Sequence, residues 1–183
     1  VRDDELLLGP VGLLLAVEAT RHLSVVPVAV ETPLERTQGA ALPALDPVLV
    51  PVLRAGLGLL NPFLQLLPTA KVGHLGLYRD HDSLVPVPYY RNFPPLLESR
   101  PIFILDPMLA TGGSASMAIS FLKQRGCQKI KFMCLVAAKQ GVERLMNDHP
   151  DVDIFAAAYD LELNDHCYIV PGLGDAGDRL FGT

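Results

Sequence analysis

The residues of this sequence that could do chemistry sit in loops rich in glycine. The clearest is the run Ile102-Phe103-Ile104-Leu105-Asp106-Pro107-Met108-Leu109-Ala110-Thr111-Gly112-Gly113-Ser114. An apolar stretch ends in an acid, a loop of small residues follows, and helical patterning starts directly after it. Gly112 and Gly113 allow a tight turn because glycine tolerates positive φ. Backbone N–H groups of such a loop, with the N-terminus of the helix it opens, form an anion site. Thr111 and Ser114 add hydroxyl groups. No lysine follows the glycines, which speaks against the phosphate loop of an ATP or GTP hydrolase.

A second loop, Val52-Leu53-Arg54-Ala55-Gly56-Leu57-Gly58, puts an arginine beside two glycines. The planar guanidinium fork suits diphosphate oxygens, and the glycines let backbone approach a ligand. Taken alone, the same residues also fit a surface arginine near a turn. Arg79 closes the run Gly73 to Arg79 and offers a second cation. A third loop, Tyr168 to Arg179, contains Gly-x-Gly-x-x-Gly at Gly172, Gly174 and Gly177. Its context does not fit a dinucleotide fingerprint, since six residues follow Gly177 and a helix with a second strand cannot be built from them. Backbone N–H and C=O groups of such a loop can instead read the edge of a planar base.

The elements that must position these loops follow from periodicity. Apolar residues at Leu8, Val11, Leu15 and Ala19 predict a helix over Glu5 to His22. The segment 27–47 reads as loop, with one strand at Val25 to Val30. The short apolar run Val48 to Leu53 reads as a strand buried on both faces, and Lys71 to Leu77, Ile102 to Leu105, Ile130 to Ala137 and Val152 to Ala158 read as four further strands. Helical patterns lie between them at Gly56 to Leu67, with Pro62 in its first turns, at Ser114 to Arg125 and at Gly141 to Asp148. The residues from Tyr78 to Pro95 read as an excursion or hairpin, and the tail from Leu161 as irregular. The alternation calls for an α/β fold with a mostly parallel five-stranded sheet flanked by helices. Ligands of such sheets bind at the carboxyl ends of the strands. A single domain over 1–183 is expected, with 78–95 as lid or hairpin and 161–183 as a base-binding tail.

These loops together resemble a known family. The strand, acid and Ala-Thr-Gly-Gly-Ser of 102–114 resemble the phosphoribosyl diphosphate (PRPP) motif of type I phosphoribosyltransferases, and Pro107 in place of a second acid narrows the likeness to the uracil branch. The 52–58 loop, the 73–80 run and the 168–183 tail are similar to segments of uracil phosphoribosyltransferases. The likeness runs from about Val48 to the end. It implies the type I phosphoribosyltransferase fold and transfer of ribose 5-phosphate from PRPP to uracil, giving UMP and diphosphate through an oxocarbenium-like transition state. It implies PRPP binding by Arg54, Arg79, Asp106, Pro107, Met108, Leu109, Ala110, Thr111, Gly112, Gly113, Ser114 and Asp175. It implies uracil binding by Ile169, Gly174, Asp175 and Ala176, with Asp175, Arg79 and Arg54 as the catalytic set. Mg²⁺ is expected as cofactor, carried by PRPP with Asp175 nearby rather than held in a cage of protein ligands. Some members respond to GTP, so GTP is carried as a candidate effector. Three departures stand out: Lys139-Gln140 where the family has Pro-Glu, Cys167 where glycine is common, and a shorter N-terminus that leaves a dimer-forming arm in doubt. The family often has an acid where His81 stands. His74 reads as structural and His81 as solvated.

Composition limits the partners. The net charge of −5 argues against a general nucleic-acid binder. No apolar run reaches the roughly 18 residues of a membrane helix, and Arg2-Asp3-Asp4-Glu5 is a poor signal-peptide start. The chain opens on Val1 rather than Met, which suggests trimming. Cys127, Cys134 and Cys167 are odd in number and lack CxxC spacing, so reduced thiols in the cytoplasm are expected. Hydrophobic residues make up 50% of the chain and mean hydropathy is +0.31, which hints at a homodimer or higher homo-oligomer. Two other readings stay open at this point: a catalytically inactive nucleotide-binding regulator of the same fold, and a related enzyme acting on a purine.

Overall fold

A computed structural model describes residues 3–42, 46–79 and 86–183. Helix α1, Asp3–Thr20, leads into an antiparallel hairpin of β1, Val26–Glu31, and β2, Arg36–Ala41. The core follows: β3, Val48–Leu53, then α2, Leu57–Leu66, then β4, Lys71–Val72, and β5, His74–Arg79. Strand β6, Pro86–Asn92, returns antiparallel to β5. Next come β7, Ile102–Leu105, the short β8, Met108–Leu109, and helix α3, Gly113–Gln124. Strand β9, Ile130–Ala138, helix α4, Lys139–Asp148, and strand β10, Asp153–Asp160, complete the layers. Two short strands, β11, Glu162–Leu163, and β12, Ile169–Val170, pair antiparallel before α5, Ala176–Phe181.

The main sheet runs β10-β9-β7-β3-β5-β6. Its first five members are parallel and β6 is the antiparallel outer strand. Four of the five expected strands are present within one or two residues of their predicted bounds, and the fifth, Lys71 to Leu77, is broken into β4 and β5. Successive side chains alternate between the faces. Val48, Val50, Val52, Ile102, Ile104 and Phe132 pack on one face with Ala118, Ile119 and Leu122 of α3 and Leu145 of α4. Leu49, Phe103, Leu105 and Met133 pack on the other with Leu15 and Ala16 of α1 and Leu59 and Phe63 of α2. Both faces of β3 and β7 are covered, which is why these strands read as apolar runs, whereas β10 at the sheet's end stays largely exposed. Pro51 lies inside the central strand, where its missing N–H leaves a gap in the ladder. The gap falls where the edge facing it breaks into β4 and β5, around Gly73, whose N–H donates to Leu49 O at 2.9 Å.

Three expectations need correction. The segment 27–47 holds a second strand, β2, rather than loop alone. The tail after Leu161 is ordered into β11, β12 and α5. Pro62 falls in the second turn of α2, as its sixth residue, which agrees with its expected place in the first turns. It is buried where α1 crosses, and a Cβ on Gly12 would stand 2.9 Å from its ring. Arg125 caps α3 instead of lying within it. Within the 78–95 excursion β5 and β6 pair antiparallel, and residues 80–85, with His81, lie outside the described residues.

Candidate active site

The parallel strands end on one edge of the sheet, and the loops singled out in the sequence leave from that edge. Asp106 follows β7 directly, and its N–H donates to Met133 O at 3.0 Å. Pro107 O accepts from the N–H groups of Leu135 and Val136 at 2.9 and 3.1 Å, and Met108–Leu109 then pair with Val136–Ala137. The loop is thus pinned along β9 before it turns. Gly112, at φ 75°, is the N-cap of α3, and no side chain caps this end. The first intrahelical bond runs from Ser116 N to Gly112 O, 2.8 Å. The amides before Ser116 have no partner within the helix, as at any helix start. Together they can hold an anion.

Helix α4 forms the floor of this loop. A Cβ on Gly141 would stand 2.6 and 2.7 Å from the carbonyl oxygens of Ala110 and Leu109. A Cβ on Gly112 would stand 3.3 Å from Arg144. Ser116 Oγ donates to Asp148 Oδ2 at 2.7 Å, which ties the first turn of α3 to the end of α4. That bond, helped by Arg144, holds the Asp148 carboxyl below the usual range. Lys139 and Gln140, the departure from the family pattern, are exposed at the start of α4. Lys139 is the first helical residue, a position where proline is also tolerated.

The arginine loop is pressed against the acid-bearing strand. A Cβ on Gly56 would lie 2.2 Å from Leu105 O and 2.6 Å from Val52 N, so only glycine fits. Arg54, at the end of β3, is half exposed, and its guanidinium meets Asp178 and Thr183 of the tail. The Leu53–Arg54 and Val170–Pro171 peptides are cis. Arg79 ends β5 on the same edge of the sheet.

The tail closes the third side. Gly172 N donates to Asp160 Oδ2 at 3.3 Å, which fastens the loop to the end of β10. Gly174 has φ 70° and nothing within 4 Å of where a Cβ would be, so its backbone faces open space. The Ile169 side chain is buried in the core, leaving its backbone as the part that could meet a ligand. Asp175 is the N-cap of α5, its Oδ1 accepting from Asp178 N at 2.9 Å. A Cβ on Gly177 would stand 3.9 Å from that of Ala55, which places α5 beside the arginine loop.

Asp106 senses the charge of Asp175. Burial pushes the Asp106 carboxyl up to about 7; a hydrogen bond from the Met108 N–H opposes this, and the Asp175 charge adds to it. The unfolded group titrates near 3.8, so between the two values the folded chain holds the extra proton. The stability from this group is full below the unfolded pKa and is lost as pH rises through the folded one. With part of the residue's surface wet, we expect a loss of about 2 kcal/mol between pH 4 and 8, and Asp106→Asn should abolish that part of the slope. Urea unfolding of both proteins across this range is the check; parallel slopes would refute it.

Cys167 sits in a turn built by Asn164, whose Oδ1 accepts from His166 N and Tyr168 N at 3.0 and 2.9 Å. Its φ is 62°, a left-handed conformation that strains a residue with a Cβ. Cys167→Gly should raise stability by about 0.5–1 kcal/mol, strain relief outweighing the extra freedom of the unfolded chain. A melting temperature no higher than that of the parent would contradict this.

The loops after β3 and β7 and the tail meet at one edge, while Asp178, Thr183, Asp160 and Gly141 join them unannounced by the reading above. The first two were hidden because Arg54 and Asp178 are 124 residues apart. The pattern Asp175-x-x-Asp178 is a helix-start signal that could have exposed α5.

The sheet order, the anion loop at the head of α3 and the hairpin beside the site define a type I phosphoribosyltransferase fold. A purine phosphoribosyltransferase from Pyrococcus horikoshii shares that fold, with a TM-score of 0.56 at 16% identity over 84% of this chain and 80% of its own. The chain belongs to the uracil phosphoribosyltransferase family, whose model matches residues 5–183. The uracil phosphoribosyltransferase of Dictyoglomus thermophilum is 54% identical over 177 residues, 97% of this chain and 86% of that protein. The one from Desulfitobacterium hafniense is 53% identical over 182 residues, covering 100% of this chain and 87% of the relative. The AQ2163 protein of Aquifex aeolicus superposes with a TM-score of 0.92 at 37% identity, over 98% of this chain and 86% of that one.

Proposed function

We propose that this chain transfers ribose 5-phosphate from PRPP to uracil, releasing diphosphate and forming UMP. The observation that carries the proposal is the docking of the tail against the arginine loop, with the open backbone at Gly174 on one side of Asp175 and the Arg54 contact on the other. Family membership over nearly the whole chain supports it.

In this reading the backbone amides of 110–114 and the hydroxyls of Thr111 and Ser114 take the 5′-phosphate. Asp106 accepts from the ribose hydroxyls. Arg54 and Arg79 take the diphosphate, and backbone groups of Ile169 and Gly174 to Ala176 read the edge of uracil. The bond from C1′ to diphosphate breaks with its electron pair leaving on oxygen, and the bond from C1′ to uracil N1 forms as its proton passes to solvent. Positioning the two reactants in line supplies most of the rate. Donors aimed at the leaving group supply the rest.

Mg²⁺ belongs to the same reading. Among the described residues no group of three or more His, Cys, Asp or Glu side chains could cage a metal. The two neighbouring carboxylates, Asp106 and Asp175, suit an ion that keeps waters and rides on substrate oxygens. Bound there, it would offset charge on the diphosphate. The β5–β6 hairpin serves as lid. A homo-oligomer in the cytosol completes the reading. The exposed Val25, Val30 and Leu34 of the first hairpin and Leu14 of α1 support assembly, and the three unpaired cysteines support a reducing compartment.

Product binding tests the base reading. UMP at about a hundred times its dissociation constant should stabilise the fold by about 2.7 kcal/mol, seen as a raised melting temperature. CMP and GMP at the same concentration should do far less. Equal shifts from all three would mean that the tail does not read the base.

A further inference from the structure

Arg54 is held before any ligand arrives. Its Nη2 donates to Asp178 Oδ1 at 3.2 Å and its Nη1 to Thr183 Oγ1 at 3.4 Å. Its guanidinium carbon lies 5.8 Å from the centre of the Phe181 ring, within cation–π range. Thr183 Oγ1 also donates to the same Asp178 Oδ1, at 3.1 Å, so the three side chains close a triangle of hydrogen bonds. All three partners belong to α5 and the residues just after it, and Asp175 caps the same helix.

We propose that Asp178, supported by Thr183, is a positioning residue that aims Arg54 at the diphosphate of PRPP. This rests on the role given to Arg54 above. The ion pair is about half exposed on both sides, and such pairs add little to stability. Its value lies in order: a free arginine samples many rotamers, and freezing it on binding costs affinity. The guanidinium has five N–H donors in a planar fork. The tail engages one on each Nη, and the others remain for phosphate oxygens. The carboxylate therefore orients the cation without saturating it. The same six-residue helix carries the proposed base contact at its start and the diphosphate clamp along its side.

The test is steady-state kinetics on Asp178→Ala, Asp178→Asn and Thr183→Val. Asp178→Ala should lower kcat/KM for PRPP about tenfold and leave KM for uracil within about twofold. Asp178→Asn, which keeps an acceptor, should lose less, and Thr183→Val about two- to threefold. In an Arg54→Ala background, Asp178→Ala should add no further loss. A merely structural role would show the same loss in both backgrounds, and tighter PRPP binding in Asp178→Ala would mean that the contact inhibits; either result overturns the proposal. NMR order of the Arg54 Nε–H group in the ligand-free protein reads the positioning without any turnover. It should be rigid in the parent and mobile in Asp178→Ala, and equal mobility in both would also overturn it. Failure of the parent to make UMP would count against the functional reading alone, since the Arg54 order is measured independently.

Discussion

Asp175→Asn is expected to lower kcat/KM for UMP formation about 10²- to 10³-fold while the fold stays intact. Both parts of that expectation come from geometry. Asn keeps an oxygen that can accept from Asp178 N, and Asn and Asp are equally good N-caps, so α5 should persist. What the substitution removes is a negative charge beside Asp106 and beside the place where Gly174 opens its backbone. That charge is the one feature of the tail that both substrates would meet. A second readout is independent of turnover. The Asp175 charge is one cause of the raised Asp106 pKa, so Asp106 should titrate lower in the variant. Near-normal turnover with unchanged circular dichroism would remove Asp175 from the catalytic set.

Gly56→Ala is expected to be the most damaging single methyl in the chain's arginine loop. A Cβ at this position meets Leu105 O at 2.2 Å and both backbone atoms of Val52 below 3 Å. None of these can swing away as a flexible side chain could. The loop would have to lift off β7, carrying Arg54 away from Asp178 and Thr183. A loss of about 3 kcal/mol or more in stability, or a folded protein with activity down at least about a hundredfold, is the expected outcome. Unchanged melting and unchanged kinetics together would show that the loop tolerates the shift. Ala at Gly9, where a Cβ meets nothing within 4 Å, is the matched control.

Much of the fold could be read from the chain because both faces of the sheet are covered. Val48 to Leu53 and Ile102 to Leu105 are apolar at every position but Pro51, and strands buried on two faces leave that mark. The loops after them were legible for another reason: an acid, an arginine and paired glycines at a strand end have few structural uses. Strand β2 was missed because Arg36-Thr37-Gln38-Gly39-Ala40-Ala41 has no apolar face and stays largely exposed, so no period of two appears. Helix α5 was missed because six residues inside a glycine-rich tail give periodicity nothing to work on. Contacts that join distant segments were out of reach altogether. Nothing local to Gly141 says that it underlies Ala110, and nothing local to Asp178 says that it faces Arg54. The sequence thus identifies the groups that could meet a substrate, and the fold reveals the groups that hold them in place.

The measurement that bears most directly on the account is UMP formation by the purified chain from uracil and PRPP, with Mg²⁺ and with a chelator, and with cytosine and hypoxanthine in place of uracil. The account predicts UMP from uracil alone, dependent on the metal. Product from hypoxanthine, or none from uracil by a chain that still binds PRPP, would contradict it.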